Sequence, residues 1–322
     1  MSFNASPSMP LDRKIADALE RGATLVAASP RAARALHLRF AEDQRAHGRT
    51  VWSSPSILDW DSWLRSLWRD HAFALPDAPM LLTALQERVL WKRAQRDDAS
   101  LVISPRSMAA LAMEAWSLLS AYKAHPARRA PWDQTDAERF RHWAETFEQL
   151  CSRNRWLSAS QLSPSLLPHL ADLALPHEIL LVGFDRLTPA QRDLLDALRS
   201  RGVVVSAVQP DPDSTAADRS WIAATDLRGE IEAAALWARD LLHENPAARI
   251  GILVPAIASA RGALDRTLRR ILTPATEDIR QPSSRPPWEF SLGHSLADVP
   301  AVRAALLLLR WTTAPLPEEK IS

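Results

Sequence analysis

Glu178-Ile-Leu-Leu-Val-Gly-Phe-Asp185, followed after Arg186-Leu187 by Thr188-Pro-Ala-Gln191, decides the fold. Its apolar residues run on without polar alternation, the pattern of a strand buried on both faces, as parallel sheets demand. Thr188 to Gln191 has the form of a capping box: a threonine cap, a glutamine three residues on, and proline at the first helical position. The helix it opens runs to Arg201, and Gly202 closes it. Residues 203–208 then read as another buried strand, followed by a loop over 209–213. Strand, helix and strand in succession predict a parallel sheet covered by helices.

Toward the amino terminus the same grammar continues. Residues 12–21 read as a helix ended by Gly22, and residues 23–28 as a short buried strand. Ser29-Pro30 then opens a helix whose inner face carries Leu36 and Phe40, with Arg31, Arg34 and Arg39 on its other faces. A second short strand fits 50–53. Residues 55–69 look helical, with Trp60, Trp63, Leu64, Leu67 and Trp68 at three-and-four spacing. From about 79 to 177 no strand is expected. Helical periodicity covers 80–96, 105–123, 133–153 and 158–173, with proline-rich breaks at Ala124-His-Pro126 and Ala130-Pro-Trp132.

Toward the carboxyl terminus, residues 221–225 and 249–254 read as strands and 226–243 and 257–271 as helices. A Pro/Ser-rich loop at 273–287 and a helix at 299–311 follow. Pro315-Leu-Pro-Glu-Glu-Lys has the form of a further helix opening, so the chain is expected to be cut within a domain. The expected fold is α/β: a RecA-like parallel sheet flanked by helices over 1–215, an all-helical insertion at about 79–177, and part of a second RecA-like domain over 216–322.

Composition narrows the chemistry. The 322 residues contain eight glycines, the closest pair being Gly251 and Gly262, and none is followed by lysine. A Walker A loop needs two glycines five apart and then lysine, and a dinucleotide turn needs GxGxxG. Both use glycine so that backbone amides approach phosphate without a Cβ in the way, and neither motif is present. The one cysteine, Cys151, excludes an internal disulfide framework and a cysteine-based metal site within the chain, and reads as a small buried apolar residue. The histidines show no His-x-x-x-His or HExxH spacing. Residues 1–10 lack the apolar stretch of a signal peptide. The longest apolar run, 304–309, is far short of a bilayer span, so no membrane partner is expected and the location expected is cytoplasmic. Only four of the 39 basic residues are lysines. Arginine suits phosphate recognition, though genome composition produces the same bias.

Taken in order, the segments resemble a superfamily 1 helicase of the UvrD-like type, and most closely its AddB-like (RexB-like) relatives in double-strand-break repair. Leu25-Val-Ala-Ala-Ser-Pro-Arg-Ala-Ala-Arg-Ala-Leu36 resembles motif Ia, and Val51-Trp-Ser-Ser-Pro-Ser-Ile-Leu-Asp-Trp60 the following Thr-x-His-Ser segment. Residues 180–191 resemble motif II and its downstream Pro-x-Gln, and 204–211 stand where motif III would. Arg228-Gly-Glu-Ile-Glu-Ala-Ala-Ala235 with Ile250-Gly-Ile-Leu-Val-Pro255 resembles the start of the second motor domain, and Phe290-Ser-Leu-Gly-His-Ser-Leu296 its next segment. The weight lies in the order and spacing of these pieces rather than in any one of them.

The departures define the expected function. A working motor of this kind needs a Walker A lysine and an acidic pair at motif II to hold Mg²⁺ and orient water. Here the chain begins at motif Ia, and the acidic pair is replaced by Phe184-Asp185. The resemblance therefore implies a catalytically inactive helicase-like region, with no catalytic residue and no bound metal or cofactor of its own. It also implies a PD-(D/E)XK nuclease domain, and the family's iron–sulfur cluster, beyond Ser322. The partners implied are single-stranded DNA or double-stranded DNA ends, and an active helicase-nuclease subunit. A protein-interaction scaffold without direct DNA contact is the alternative.

Several residues carry that expectation, each with a plainer reading beside it. Ser29, Arg31 and Arg34, at the motif Ia helix end that faces DNA in the resembled motors, either touch a phosphate or form an ordinary cap with solvated arginines. Ser54 belongs to the next DNA-facing segment. Trp60, with Trp52 and Trp63, either offers bases a stacking surface or fills the core. Asp185 and Gln191 mark the degenerate motif II, Asp185 as a vestigial metal ligand or a plain strand-end carboxylate, Gln191 with a complete role in the capping box. Arg228 and Glu230 either pair at the domain junction or sit on a solvated helix face.

Overall fold

The computed structural model describes residues 11–75, 77–96, 105–124, 135–208, 220–255, 257–274, 286–291, 293 and 296–312. The breaks around Pro126 and Pro131, the 209–213 loop, most of 273–287 and the 315–320 segment lie outside them. The chain divides into two compact units, Met1–Ser214 and Thr215–Ser322.

In the first unit, α1 (Arg13–Glu20) is capped by the Asp12 carboxylate, which accepts from the Lys14 amide at 2.8 Å. It stops at Gly22, whose φ of +80° lets the Ala23 amide return to the Ala18 carbonyl at 2.9 Å. β1 (Thr24–Ala27) leads into α2 (Pro30–Ala46), and β2 (Ile57–Asp59) ends on Asp59, whose carboxylate caps α3 (Trp60–Ala74). The helical block holds a two-residue strand β3 (Met80–Leu81), α4 (Ala84–Ala94), α5 (Pro105–Ala121), α6 (Thr135–Asn154) and a second short strand, β4 (Trp156–Leu157). Two 3-10 turns flank α7 (Leu162–Leu166), and β5 (Glu178–Val182), α8 (Pro189–Ser200) and β6 (Val204–Val208) complete the unit.

The main sheet is wholly parallel in the order β2-β1-β5-β6. Leu25 lies opposite Ile57 on one side and Leu180 on the other, and Val26 opposite Leu181. Because successive side chains alternate faces, Val26, Ile179 and Leu181 join Leu194, Leu195 and Leu198 of α8 and the α3 tryptophans in one core. Leu25, Ala27 and Leu180 join Ile15, Ala33 and Leu36 of α1 and α2 in another. A third core, around Trp91, Trp116, Trp143 and Phe147, belongs to the helical block. The fold is α/β, a four-stranded parallel sheet flanked by helices, consistent with the RecA-like arrangement.

Several expectations need correction. The strand expected at 50–53 is at Ile57–Asp59, because the ladder engages only where the Leu25 amide reaches the Ser56 carbonyl at 2.8 Å and Ile57 can face Leu25. The helix expected from 55 accordingly starts at Trp60. The block at 79–177 is not purely helical. Met80–Leu81 pairs in parallel with Trp156–Leu157, and α4 waits for the Thr83–Gln86 capping box. The helix expected over 158–173 is broken into 3-10 and α turns, with Pro168 inside the second 3-10 turn. β6 forms but is not buried: among the described residues only β5 pairs with it, and Val204 is 60% exposed.

In the second unit, α9 (Leu227–Glu244) packs on α10 (Ile257–Leu272) through Ile231, Ala235, Leu264 and Leu268. Trp288 adds to this core and donates its indole hydrogen to Asp265 at 3.2 Å. α11 (Pro300–Trp311) has no buried residue. The strands expected at 221–225 and 249–254 do not form: neither segment has a sheet partner among the described residues, and Trp221 and Leu253 are exposed.

Candidate nucleic-acid interface

The sheet order places a topological switch point between β1 and β5. β2 and β5 lie on opposite sides of β1, and the helices that follow β1 and β5, α2 and α8, pack on opposite faces. Strands whose following helices leave in opposite directions open a crevice at their carboxyl ends, where open α/β sheets hold ligands. Here the Ala28 amide donates to the Val182 carbonyl at 3.0 Å, and Gly183 turns the chain away with φ +78°. A Cβ on Gly183 would meet the Ala28 Cβ at 3.8 Å, an ordinary contact, so the dihedral rather than crowding calls for glycine.

Ser29 stands at this crevice. Its hydroxyl accepts from the Ala32 amide at 3.2 Å, and its carbonyl from the Ala33 amide at 3.1 Å. Pro30 has no amide hydrogen, so the first turn of α2 is largely satisfied from within. Arg31 and Arg34 project from it, exposed and without an ion pair among the described residues. Two uncommitted guanidinium groups beside a helix amino terminus form a positively polarised surface.

The other candidates do not all converge there. Asp185 follows β5 at the same end of the sheet and is exposed. Phe184 beside it turns inward, its ring 6.1 Å from that of Trp60. Gln191 is committed: its side-chain oxygen accepts from the Thr188 amide at 2.9 Å, and its amide donates to the Thr188 hydroxyl at 3.3 Å. Ser54 lies in the segment that enters β2, at the amino-terminal end of that strand, whereas Ser29 follows the carboxyl end of the parallel strand β1. Trp60 is corrected to a core residue. It is 8% exposed and packs edge-on against Trp63 at 5.3 Å, so it has no face to offer a base. Trp63 is buried with it, while Trp52 lies under the Arg45 guanidinium, 5.6 Å from its ring centre.

Arg228 and Glu230 flank Gly229 in the first turn of α9, in the second unit. Asp226 caps that helix, accepting from the Gly229 amide at 2.7 Å. Both side chains are exposed and form no ion pair among the described residues, the behaviour of a solvated face. The pair that links elements here is Arg270 with Glu232, at 3.1 Å.

Sequence reasoning missed two sets of groups. Arg21 donates two hydrogen bonds to Glu178, at 3.0 and 2.6 Å, fastening the end of α1 to the start of β5. Glu87 of α4 is 5% exposed and accepts from the Ser158 hydroxyl at 2.9 Å. Burial pushes its carboxyl above the ordinary carboxylate range, against the hydrogen bond from Ser158. Only spacing across 157 and 71 residues would have revealed these pairs. Among the described residues no group of three or more His, Cys, Asp or Glu side chains could hold a metal ion, and no helix is long and apolar enough to cross a membrane.

The sheet defines a parallel α/β protein with a basic helix end at its topological switch point. No known protein-family profile matches the chain, and no curated protein sequence does.

Proposed function

We propose that the chain is the catalytically silent, helicase-like region of an AddB-like double-strand-break repair protein, holding or routing single-stranded DNA and bracing a nuclease or motor partner in the cytoplasm. The observation that carries this reading is the α2 amino-terminal end, with Arg31 and Arg34 exposed and without an ion pair among the described residues, at the carboxyl end of β1 next to β5. Inactivity as a motor is supported at the end of β5, where Phe184 packs into the core against Trp60 and leaves Asp185 as a single carboxylate.

Anisotropy titration of labelled single-stranded DNA tests it. Saturable binding at low salt is expected, weakening as salt rises. The Arg31→Glu/Arg34→Glu double variant should lower the log–log salt slope by about 1.4, at ~0.7 for each phosphate no longer neutralised. No saturable binding at low salt, or binding indifferent to salt, overturns the reading. Calorimetric titration with ATP and Mg²⁺ is expected to be flat.

A second reading, a protein-interaction scaffold without DNA contact, is favoured by α11. Leu308, Leu309 and Trp311 are 60%, 64% and 64% exposed there, an apolar face of the kind partners cover. It predicts no DNA binding at any salt concentration.

A further inference from the structure

A cavity of about 280 Å³ opens in the first unit where α5 and α6 of the helical block meet α7 and α8. Its wall is apolar, formed by Trp116, Leu119, Pro164, Leu167 and Ala190. Its polar side chains are Ser120, Lys123, Glu148, Gln161 and Asp193. Lys123, just past the end of α5, sits at φ +57°, in the left-handed region where glycine usually ends a helix. The Ala124 amide turns back to the Leu119 carbonyl at 2.8 Å, and the turn delivers the Lys123 ammonium to an ion pair with Asp193 of α8. Asp193 is thereby neutralised. Glu148 of α6 also lines the cavity and forms no ion pair among the described residues, and the Gln161 side chain has no hydrogen-bond partner among them.

We infer that this cavity binds a small organic cation, an apolar body of one or two fused rings bearing a single protonated amine. The wall takes the body: a cavity of ~150 Å³ already holds benzene, so the larger volume here admits a second ring. Glu148 takes the ammonium, and the Gln161 carbonyl is a second acceptor within the same lining. Anions are disfavoured, because two carboxylates and one ammonium leave the lining net negative. A mostly apolar concavity with a few unengaged polar groups is the usual form of a small-ligand site. No lining residue is shared with the α2 surface, so this inference stands or falls apart from the DNA reading.

Tryptamine, 3-ethylindole and indole-3-propionate, titrated calorimetrically into the full chain, separate the contributions. Tryptamine should bind at least tenfold more tightly than 3-ethylindole, the propionate weakest of all. Glu148→Gln should erase the advantage of tryptamine over 3-ethylindole, since a hydrogen bond to a charged group is worth a factor of ten or more. Ala190→Phe, which fills the cavity from α8, should abolish binding of both. The melting transition of each variant verifies its fold. Equal affinity for the three probes, no binding by any, preference for the propionate, or tryptamine binding unchanged by both substitutions overturns the inference.

Discussion

Three side chains make opposite statements about acid and base. The Arg21 guanidinium, through its two hydrogen bonds, holds the Glu178 carboxyl below the ordinary carboxylate range. A depressed folded-state pKa gives stability that is present above the unfolded value, 4.5 for a glutamate, and lost as pH falls through the folded one. Glu178→Gln should therefore flatten the decline of melting temperature on acidification below pH 4.5. Glu87 runs the other way. Its raised pKa gives stability that is full below 4.5 and lost as pH rises through the folded value. Glu87→Gln keeps the acceptor for Ser158 and removes the buried charge, so its melting temperature should gain on the parent as pH rises from 4 toward 7. Cys151 is pushed up to about 12, by burial first and then by Glu87 and Glu148. The thiol should resist iodoacetamide at pH 8 in the folded protein and react readily in denaturant, because the thiolate is the nucleophile.

At the scale of elements, α8 shows what local sequence can decide. Thr188 and Gln191 form both bonds of the capping box, Pro189 opens the helix, and the run Leu194, Leu195 and Leu198 is wholly buried. Thr188→Ala should cost about 1 kcal/mol in chemical denaturation, and Leu195→Ala about 2–5 kcal/mol through the cavity it leaves. α2 is as legible: Ser29 caps it and Arg31 and Arg34 face solvent, as periodicity demands. Pairing is what local sequence could not decide. The place of β2 follows from the fit of Ile57 against Leu25, a contact 32 residues away along the chain. The apolar segments at 221–225 and 249–254 have strand composition, yet a strand exists only where another chain segment takes up its hydrogen bonds. The site suffered likewise. Trp60 is ambiguous in sequence because helical spacing marks a core face and a stacking platform alike. Ser54 falls at the wrong end of the sheet because a parallel strand holds its entering and leaving segments at opposite ends.

At the scale of the molecule, the parallel sheet, both of its helical layers and the aromatic core of the helical block lie within the first unit. Residues 1–214 expressed alone should thus unfold in one cooperative transition, with far-ultraviolet circular dichroism and intrinsic tryptophan fluorescence giving coincident curves. Among the described residues only β5 pairs with β6, and its other side bears on colloidal behaviour as well. Residues 203–208, Val-Val-Val-Ser-Ala-Val, carry no charge and no proline, and natural edges usually carry one or the other to discourage strand-to-strand association between molecules. Such a segment invites concentration-dependent aggregation. In static light scattering Val204→Lys should raise the concentration at which scattering departs from that of a monodisperse solution, while the melting temperature moves little, since Val204 already faces water.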